Sequence, residues 1–476
     1  MPAAPSPDIH PDRTAALNDA EENPDGSYVL YVMEASMRTR MNHALELAAQ
    51  HANRLEKRLL VLYPLVGATF GAHRRQKHFM LQGVGELKPR LAERKIRFAV
   101  VEGEMAATAL KYAQDACRVV LDGGYLRDHR AWRDEVGDEA RVPVEEVESD
   151  VVVPVGTASD KKEHAARTIR PKITKRLDEF LVPLEETPLN KNAKSMKISD
   201  DEVDLSSDAE IGEALDRLGF ASGGDGVPPV PLFRGGEDAA EEMFESFLKN
   251  SGDTYSENRN QPQTNDVSHM SKYLHFGNVS PIHLALRGGD ALTGEDREDF
   301  LEELIVRREL TYNFVHFEED YDKYSQLPEF ARKTLDEHRD DEREHIYTRK
   351  QLEEADTHDP YWNAAQRELV HTGYMHNYMR MYWGKKILEW TNTPEYGHET
   401  TLYLNNKYFL DGRDPNSFAN VAWVYGQHDR GWTERDVFGK VRYMNANGLE
   451  RKAKPKEYVK KVDTLVAEVQ KLRGEN

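Results

Sequence analysis

Three stretches of this 476-residue chain carry side chains whose types and spacing could do chemistry. In the first, Asn265 and Asp266 precede Val267, Ser268, His269, Met270, Ser271 and Lys272. This run predicts a capped helix start. Free backbone N–H groups and a positive partial charge gather at such a start, so hydroxyls and amides there can hold a diphosphate. Ordinary N-capping is the commoner explanation for the same residue types.

The second stretch, residues 361–390, is unusually aromatic, with Trp362, Tyr374, Tyr378, Tyr382, Trp383 and Trp390 beside the cationic Arg380. Trp383 and Trp390 are seven residues apart, two helical turns, so their rings are expected on nearly the same face and edge to edge. Stacked indoles can relay electrons, although an aromatic stripe at helical spacing is most often core. The third stretch, residues 404–416, packs Asn405, Asn406, Asp411, Arg413, Asp414 and Asn416 around Gly412 and Pro415. Arg380 lies in apolar surroundings and needs a carboxylate if buried. Asp411 is the expected partner, against the alternative of a plain polar surface turn.

The elements that position these groups follow from hydrophobic patterning. Short β-rich runs at residues 28–33, 59–66, 98–102 and 118–121 alternate with helical stretches, which predicts a parallel sheet covered by helices. No GxGxxG or GxxxxGK[ST] loop follows a strand, and Gly123 with Gly124 reads as a turn. A punctuated polar segment separates this part from a mainly helical region beginning near Glu237. The expected organisation is a flexible N-terminus over 1–27, an α/β domain over 28–157, an interdomain connection over 158–236, an α-helical domain over 237–462 and a tail over 463–476.

Composition narrows the function. With 39% hydrophobic residues the chain can build two or more packed domains. It has no run of about eighteen uncharged apolar residues and no apolar segment near its start, so neither a membrane span nor a secretory signal is expected. The cytoplasm is the expected location. The single Cys117 excludes an internal disulfide and a Cys-based zinc site, and His338 and His345 read as solvated surface, so no metal is expected. The net charge of −20 opposes nucleic acid, yet Arg430 to Lys461 holds ten Lys or Arg against four acids. If the chain binds phosphates, that end is the place for them, although a solvated charged surface without a partner is the commoner case.

Taken together, VSHMSKYLHFGNVSP, FLEELIVRREL, YMRMYWGKKILEW, LDGRDPN and FGKVRYMN closely resemble the class II cyclobutane pyrimidine dimer photolyases of the photolyase and cryptochrome family. The DGGYLRDHRAWR and ARTIRPKI runs belong to the same pattern, so the resemblance spans both domains. It implies an α/β, Rossmann-like antenna domain and a mainly α-helical domain holding FAD. The implied activity is light-driven repair of dimers in UV-damaged double-stranded DNA, by an electron passed from photoexcited reduced FAD to a flipped-out dimer.

By the same resemblance Tyr255, Ser268, Met270 and Ser271 contact the adenine and diphosphate side, Arg380 and Asp411 pair beside the isoalloxazine, and Asn405 faces its N5. Glu303 hydrogen-bonds a dimer carbonyl, which requires a protonated carboxyl, and Met381 and Trp423 line the lesion pocket. Trp383, Trp362 and Trp390 form the photoreduction chain in that order, and Arg430, Lys440, Arg442, Arg451 and Lys452 grip phosphates. An 8-hydroxy-5-deazaflavin antenna is what family members suggest. No membrane or obligate protein partner is implied. One departure stands out, because Arg307 occupies a position where some members carry a second pocket tryptophan. The rival readings are a cryptochrome-like blue-light sensor without repair, a non-enzymatic DNA-binding protein, and repair of the (6-4) lesion, whose histidines find no match here.

Overall fold

The computed structural model describes residues 9–67, 73–220 and 227–475. Its one sheet has six strands, β1 (Thr14–Ala16), β2 (Tyr28–Val32), β3 (Arg58–Leu65), β4 (Arg97–Glu102), β5 (Ala116–Asp122) and β6 (Val144–Val147), in the order β1-β6-β5-β2-β3-β4. All neighbours run parallel except β1, which lies antiparallel to β6. Every residue of β2 is buried, as expected for a parallel strand covered on both faces. Alternation sorts the strands cleanly. Val29, Tyr31, Leu59 and Val61 face helices His43–Arg54 and Arg74–Glu93, and that core continues into Tyr273, Phe276 and Ile282 of the helical region. Leu30, Val32, Leu60 and Leu62 face helices Met105–Ala113 and Arg127–Glu139.

Two strands escaped the sequence reading, and one of them corrects the expected flexible N-terminus. Residues 14–16 pair with β6, and the Arg13 guanidinium is buried on the Val151, Val152 and Phe180 carbonyls, so the described residues 9–27 are part of the sheet domain. A three-residue edge strand is too short to show alternation, which is why it was illegible.

At the switch between β2 and β5, where open α/β sheets often bind ligands, the loop after β2 is already occupied by protein. Asp122 accepts the backbone N–H groups of Glu34, Ala35 and Ser36 at 2.9, 2.9 and 3.0 Å and the Tyr31 hydroxyl at 2.7 Å. Burial lifts its pKa to about 6. An internal carboxylate thus takes the place a phosphate would take, which agrees with the missing glycine-rich motif.

Residues 158–220 wrap the α/β domain rather than merely linking it. Ala193 N–H donates to Lys95 O, Val203 N–H to Val100 O, and Arg170 clamps Glu302 in the helical region through two bonds of 3.0 and 2.7 Å. The domains are also tied by Arg38, buried between Asp150 at 2.6 Å and the Gly277 carbonyl at 3.0 Å. From Glu237 onward the described residues form helices and one isolated β-bridge, Arg435 with Gly439.

Candidate active site

The helical region encloses two adjoining cavity lobes of about 310 and 340 Å3, which share Arg259, Asn260, Glu303, Arg380 and Asp411 in their walls. Tyr255, Ser268, Met270 and Ser271 line the first lobe. Met381, Trp383, Asn405, Trp423 and Arg442 line the second. Residues spread over nearly two hundred positions of sequence therefore meet around these lobes.

The first lobe is built differently from the capped helix start that its sequence suggests. The helix runs only over Ser271–His275, without a side-chain cap. Asp266 is engaged elsewhere, by Ser251 Oγ at 3.1 Å and Asn258 Nδ2 at 2.8 Å, and Asn265 meets His269 at 3.0 Å. The turn is made instead by His269 in the left-handed region, with φ of 57°. Lys272 holds it there, donating to the His269 carbonyl at 2.8 Å with its ammonium 3.9 Å from the Phe233 ring centroid. Burial pulls the Lys272 pKa down to about 7. His269 Nδ1 is buried without a hydrogen-bond partner among the described residues, so the lobe keeps an unsatisfied polar atom.

Arg380 and Asp411 form a bidentate pair, Nη1–Oδ1 and Nη2–Oδ2 both at 3.1 Å, with Arg380 Nε on the Met375 carbonyl at 2.9 Å. The guanidinium carbon sits 3.9 Å from the Phe409 ring centroid. The third sequence cluster is therefore no surface turn, since Asp411 and Asp414 are buried. Asp414 accepts from His275 Nδ1 at 3.1 Å and caps helix Pro415–Val424. Asn405, in the last turn of helix Pro394–Tyr408, donates through Nδ2 to Asn406 Oδ1 at 3.0 Å. Its carbonyl and second N–H remain for the cavity.

Glu303 lies on a six-residue π-helical segment, Glu302–Arg307, a widened turn of the kind found mostly at functional sites. Burial raises the Glu303 carboxyl above the usual range, with the cations Arg259 and Arg307 pulling it back, and Arg259 Nη2 donates to it at 2.8 Å. About a third of the side chain still opens to the cavity. Arg307 is turned onto Glu302 at 2.9 Å, so the neighbouring carboxylate restrains the group that stands in place of a tryptophan.

The indoles are arranged otherwise than their spacing suggests. Trp362 lies between the two, its Nε1 donating to the Trp383 carbonyl at 3.0 Å and its ring meeting Trp390 edge-on at 5.8 Å. Trp383 lines the cavity, bonds Gln366 Oε1 at 2.9 Å and meets Phe409 at 6.3 Å. The expected direct contact of Trp383 with Trp390 gives way because helix Pro360–Thr372 inserts its own indole.

Of the basic residues, Arg442 lines the second lobe and bonds Asp429 at 2.9 Å, while Arg430 lies over the exposed Trp432. Lys440 is exposed, 3.9 Å from Glu434. Arg451 and Lys452 end helix Ala446–Lys452 on the surface, where Gln261, next to the lobe residue Asn260, donates to the Lys452 carbonyl at 3.0 Å. Of these five, only Arg442 lines a lobe. His338 pairs with Asp341 and Glu434, and His345 stacks on His358 at 3.7 Å. No metal-holding group of His, Cys, Asp or Glu occurs among the described residues. Nor is any helix there long and apolar enough to cross a membrane.

Sequence reasoning missed Arg259 and Lys272. Arg259 follows Tyr255 by four residues and so shares its helical face, a legible signal. Lys272, between Ser271 and Tyr273, carries no comparable signal, because the run around it is already polar with Ser268, His269 and His275.

A family model described as DNA photolyase matches residues 29–190. A deoxyribodipyrimidine photo-lyase of Methanothermobacter thermautotrophicus is 47% identical over 460 residues, covering 97% of this chain and all of the relative. The fold is shared with a bacterial class III photolyase from Agrobacterium tumefaciens, with a TM-score of 0.71 at 17% identity, covering 92% of this chain and 86% of that one. An archaeal photolyase from Sulfolobus tokodaii, whose structure holds two FAD molecules, gives 0.68 at 16% identity, covering 91% and 89%.

Proposed function

Because the chain belongs to the DNA photolyase family, we propose that it is a class II photolyase, repairing cyclobutane pyrimidine dimers in UV-damaged double-stranded DNA. The observation that carries the reading is the pair of adjoining lobes with shared walls, one polar around Ser268 and Ser271, the other lined by Trp423, Met381 and Glu303. The residues present fit FAD. The first lobe offers hydroxyls and an unsatisfied buried His269 Nδ1, and the boundary between lobes offers a fixed ion pair and an amide.

Reduced FAD held there would supply light-driven one-electron chemistry to the dimer. Ser268 and Ser271, with Tyr255 and Met270, hold the adenine and diphosphate side. The Arg380–Asp411 pair fixes charge beside the isoalloxazine, and Asn405 presents its amide to N5. The Glu303 proton is given to a dimer carbonyl as a hydrogen bond. Burial favours that neutral form, while Arg259 favours the carboxylate and limits the shift.

Met381 and Trp423 press on the extruded bases, and weakened pairing at the lesion lowers the cost of extrusion by about a few kcal/mol. Phosphates are met by Arg430, Lys440, Arg442, Arg451 and Lys452, a local basic segment on a chain of net charge −20. Trp383, Trp362 and Trp390 carry electrons inward when the cofactor is oxidised. The α/β domain is assigned an 8-hydroxy-5-deazaflavin antenna.

A binding experiment tests the proposal. In darkness the purified, chemically reduced flavoprotein should retain an oligonucleotide with one thymine dimer in preference to its undamaged twin, and blue light should release it. Equal dark affinity for both strands overturns the repair reading, and preference without release by light points to a sensor.

A further inference from the structure

The cavity's amide is held from outside its own domain. Helix Pro394–Tyr408 ends one turn beyond Asn405, and the last carbonyls of a helix have no partners within it. Here they are met by the second and third residues of helix Arg74–Glu93 of the α/β domain. Gln76 Nε2 lies 3.0, 3.3 and 2.9 Å from the carbonyl oxygens of Asn406, Lys407 and Phe409, so its two N–H groups are shared among three acceptors. Arg75 Nη1 bonds the Tyr408 carbonyl at 2.9 Å. The same guanidinium reaches Leu369 O at 3.3 Å and Val370 O at 2.6 Å, in the last turn of the helix that carries Trp362 and Gln366.

Both residues are only 1% exposed, so these bonds are made away from water. Gln76 is itself aimed by its own chain, its Oε1 accepting from His73 N–H at 3.2 Å. On the far side, Asn406 Oδ1 receives both Asn405 Nδ2 at 3.0 Å and Arg413 N–H at 3.1 Å. Gln76 therefore grips the backbone of the residue whose side chain orients Asn405. The arrangement also places a cation against two helix C-termini, where the carbonyl dipoles favour it.

We propose that Gln76, assisted by Arg75, is a positioning residue for Asn405, setting the reach of its amide toward the bound flavin from across the domain interface. The inference rests on the reading of Asn405 as the group that faces flavin N5. A lost bond at Gln76 lets the last turn relax and moves the amide, while the ion pair and the cavity walls stay in place.

The test measures the one-electron potential of bound FAD in Gln76→Leu, Asn405→Ala, the double variant, and Gln82→Leu. The last removes other bonds of the same helix, to the Gly235 N–H and the Asp208 carboxylate, both at 3.0 Å, and is the control for a loosened helix Arg74–Glu93. Gln76→Leu is expected to shift the potential in the same direction as Asn405→Ala. The expected size is about fivefold in the equilibrium, the effect of one ordinary hydrogen bond, or about 40 mV at 59 mV per tenfold. The double variant should go no further than Asn405→Ala alone, and Gln82→Leu should stay at the wild-type value. If Gln76→Leu does not fold, Gln76→Asn withdraws the amide by one methylene and should give a smaller shift of the same sign. A shift in Asn405→Ala without one in the Gln76 variants, or an equal shift in Gln82→Leu, overturns the positioning role and leaves the N5 reading standing. No shift in Asn405→Ala removes that reading and the inference with it.

Discussion

Replacing Asp411 by Asn keeps the shape of the site and removes one charge. Arg380 then keeps one oxygen acceptor but loses the second bond and the opposing charge, and the buried ammonium of Lys272, whose pKa Asp411 helps to raise, loses a counter-charge. Removing one partner of a buried pair costs about 3–5 kcal/mol. The Arg380 side chain is 25% exposed to the cavity, so solvent screening trims the expected loss to about 2–3 kcal/mol. At about 2.1 cal/mol/K of unfolding entropy per residue, the 476-residue chain shifts by about 1 °C per kcal/mol, so the melting temperature should drop by about 2–3 °C. Thermal melting at saturating FAD keeps the contribution of the ligand comparable between samples. Arg380→Met leaves the opposite charge unpaired, so the double variant should lose less than the sum of the singles. Additive losses, or a drop under about 1 °C for Asp411→Asn, would refute the claim that this pair is a desolvated unit.

Other outcomes follow from the same geometry. Trp383→Phe should block photoreduction and spare repair by chemically reduced protein, and should cost about 1–3 kcal/mol because Gln366 loses its buried donor; equal loss of both activities counts against the relay. Repair should decline as pH rises through the elevated Glu303 pKa, since only the neutral carboxyl donates, and Glu303→Gln should flatten that profile; parallel profiles in quantum yield measurements would refute the role. Burial lifts Glu309 to about 7, so its folded form favours the proton and stability should fall as pH rises from the ordinary carboxylate range through 7, by on the order of 3 kcal/mol. Denaturant melts should show that fall in wild type and a fall smaller by that amount in Glu309→Gln, since the raised Asp122 carboxyl contributes to both. Replacing Arg451 and Lys452 together by Ala should weaken binding of any DNA and reduce the salt slope by about 1.8; an unchanged slope places the phosphates elsewhere.

Four of the six strands could be read from the sequence because parallel strands covered on both faces appear as unbroken apolar runs. β1 could not, being three residues of Thr and Ala at an edge, nor β6, whose Val144 and Val147 flank two glutamates. In the site, the Arg380–Asp411 pair was legible because a cation in an apolar stretch demands a partner. The start of the first lobe was misread because capping residue types do not reveal whether their side chains are already engaged, as Asp266 is by Ser251 and Asn258. Helical spacing relates residues of one helix only, so it brought Trp383 and Trp390 together and left out Trp362, which arrives from another. The hold of Gln76 and Arg75 on distant carbonyls joins residues more than 290 positions apart, beyond any local pattern.

Light-driven repair requires the cavity to bring a flavin to an extruded dimer. Purified, chemically reduced protein should be incubated with an oligonucleotide carrying one defined thymine dimer, in blue light and in darkness, and the restored thymines counted by chromatography. FAD in the sample, restoration in light and none in the dark are expected. A flavin-bearing protein that restores no thymine under illumination, or restoration that proceeds equally in darkness, would contradict it.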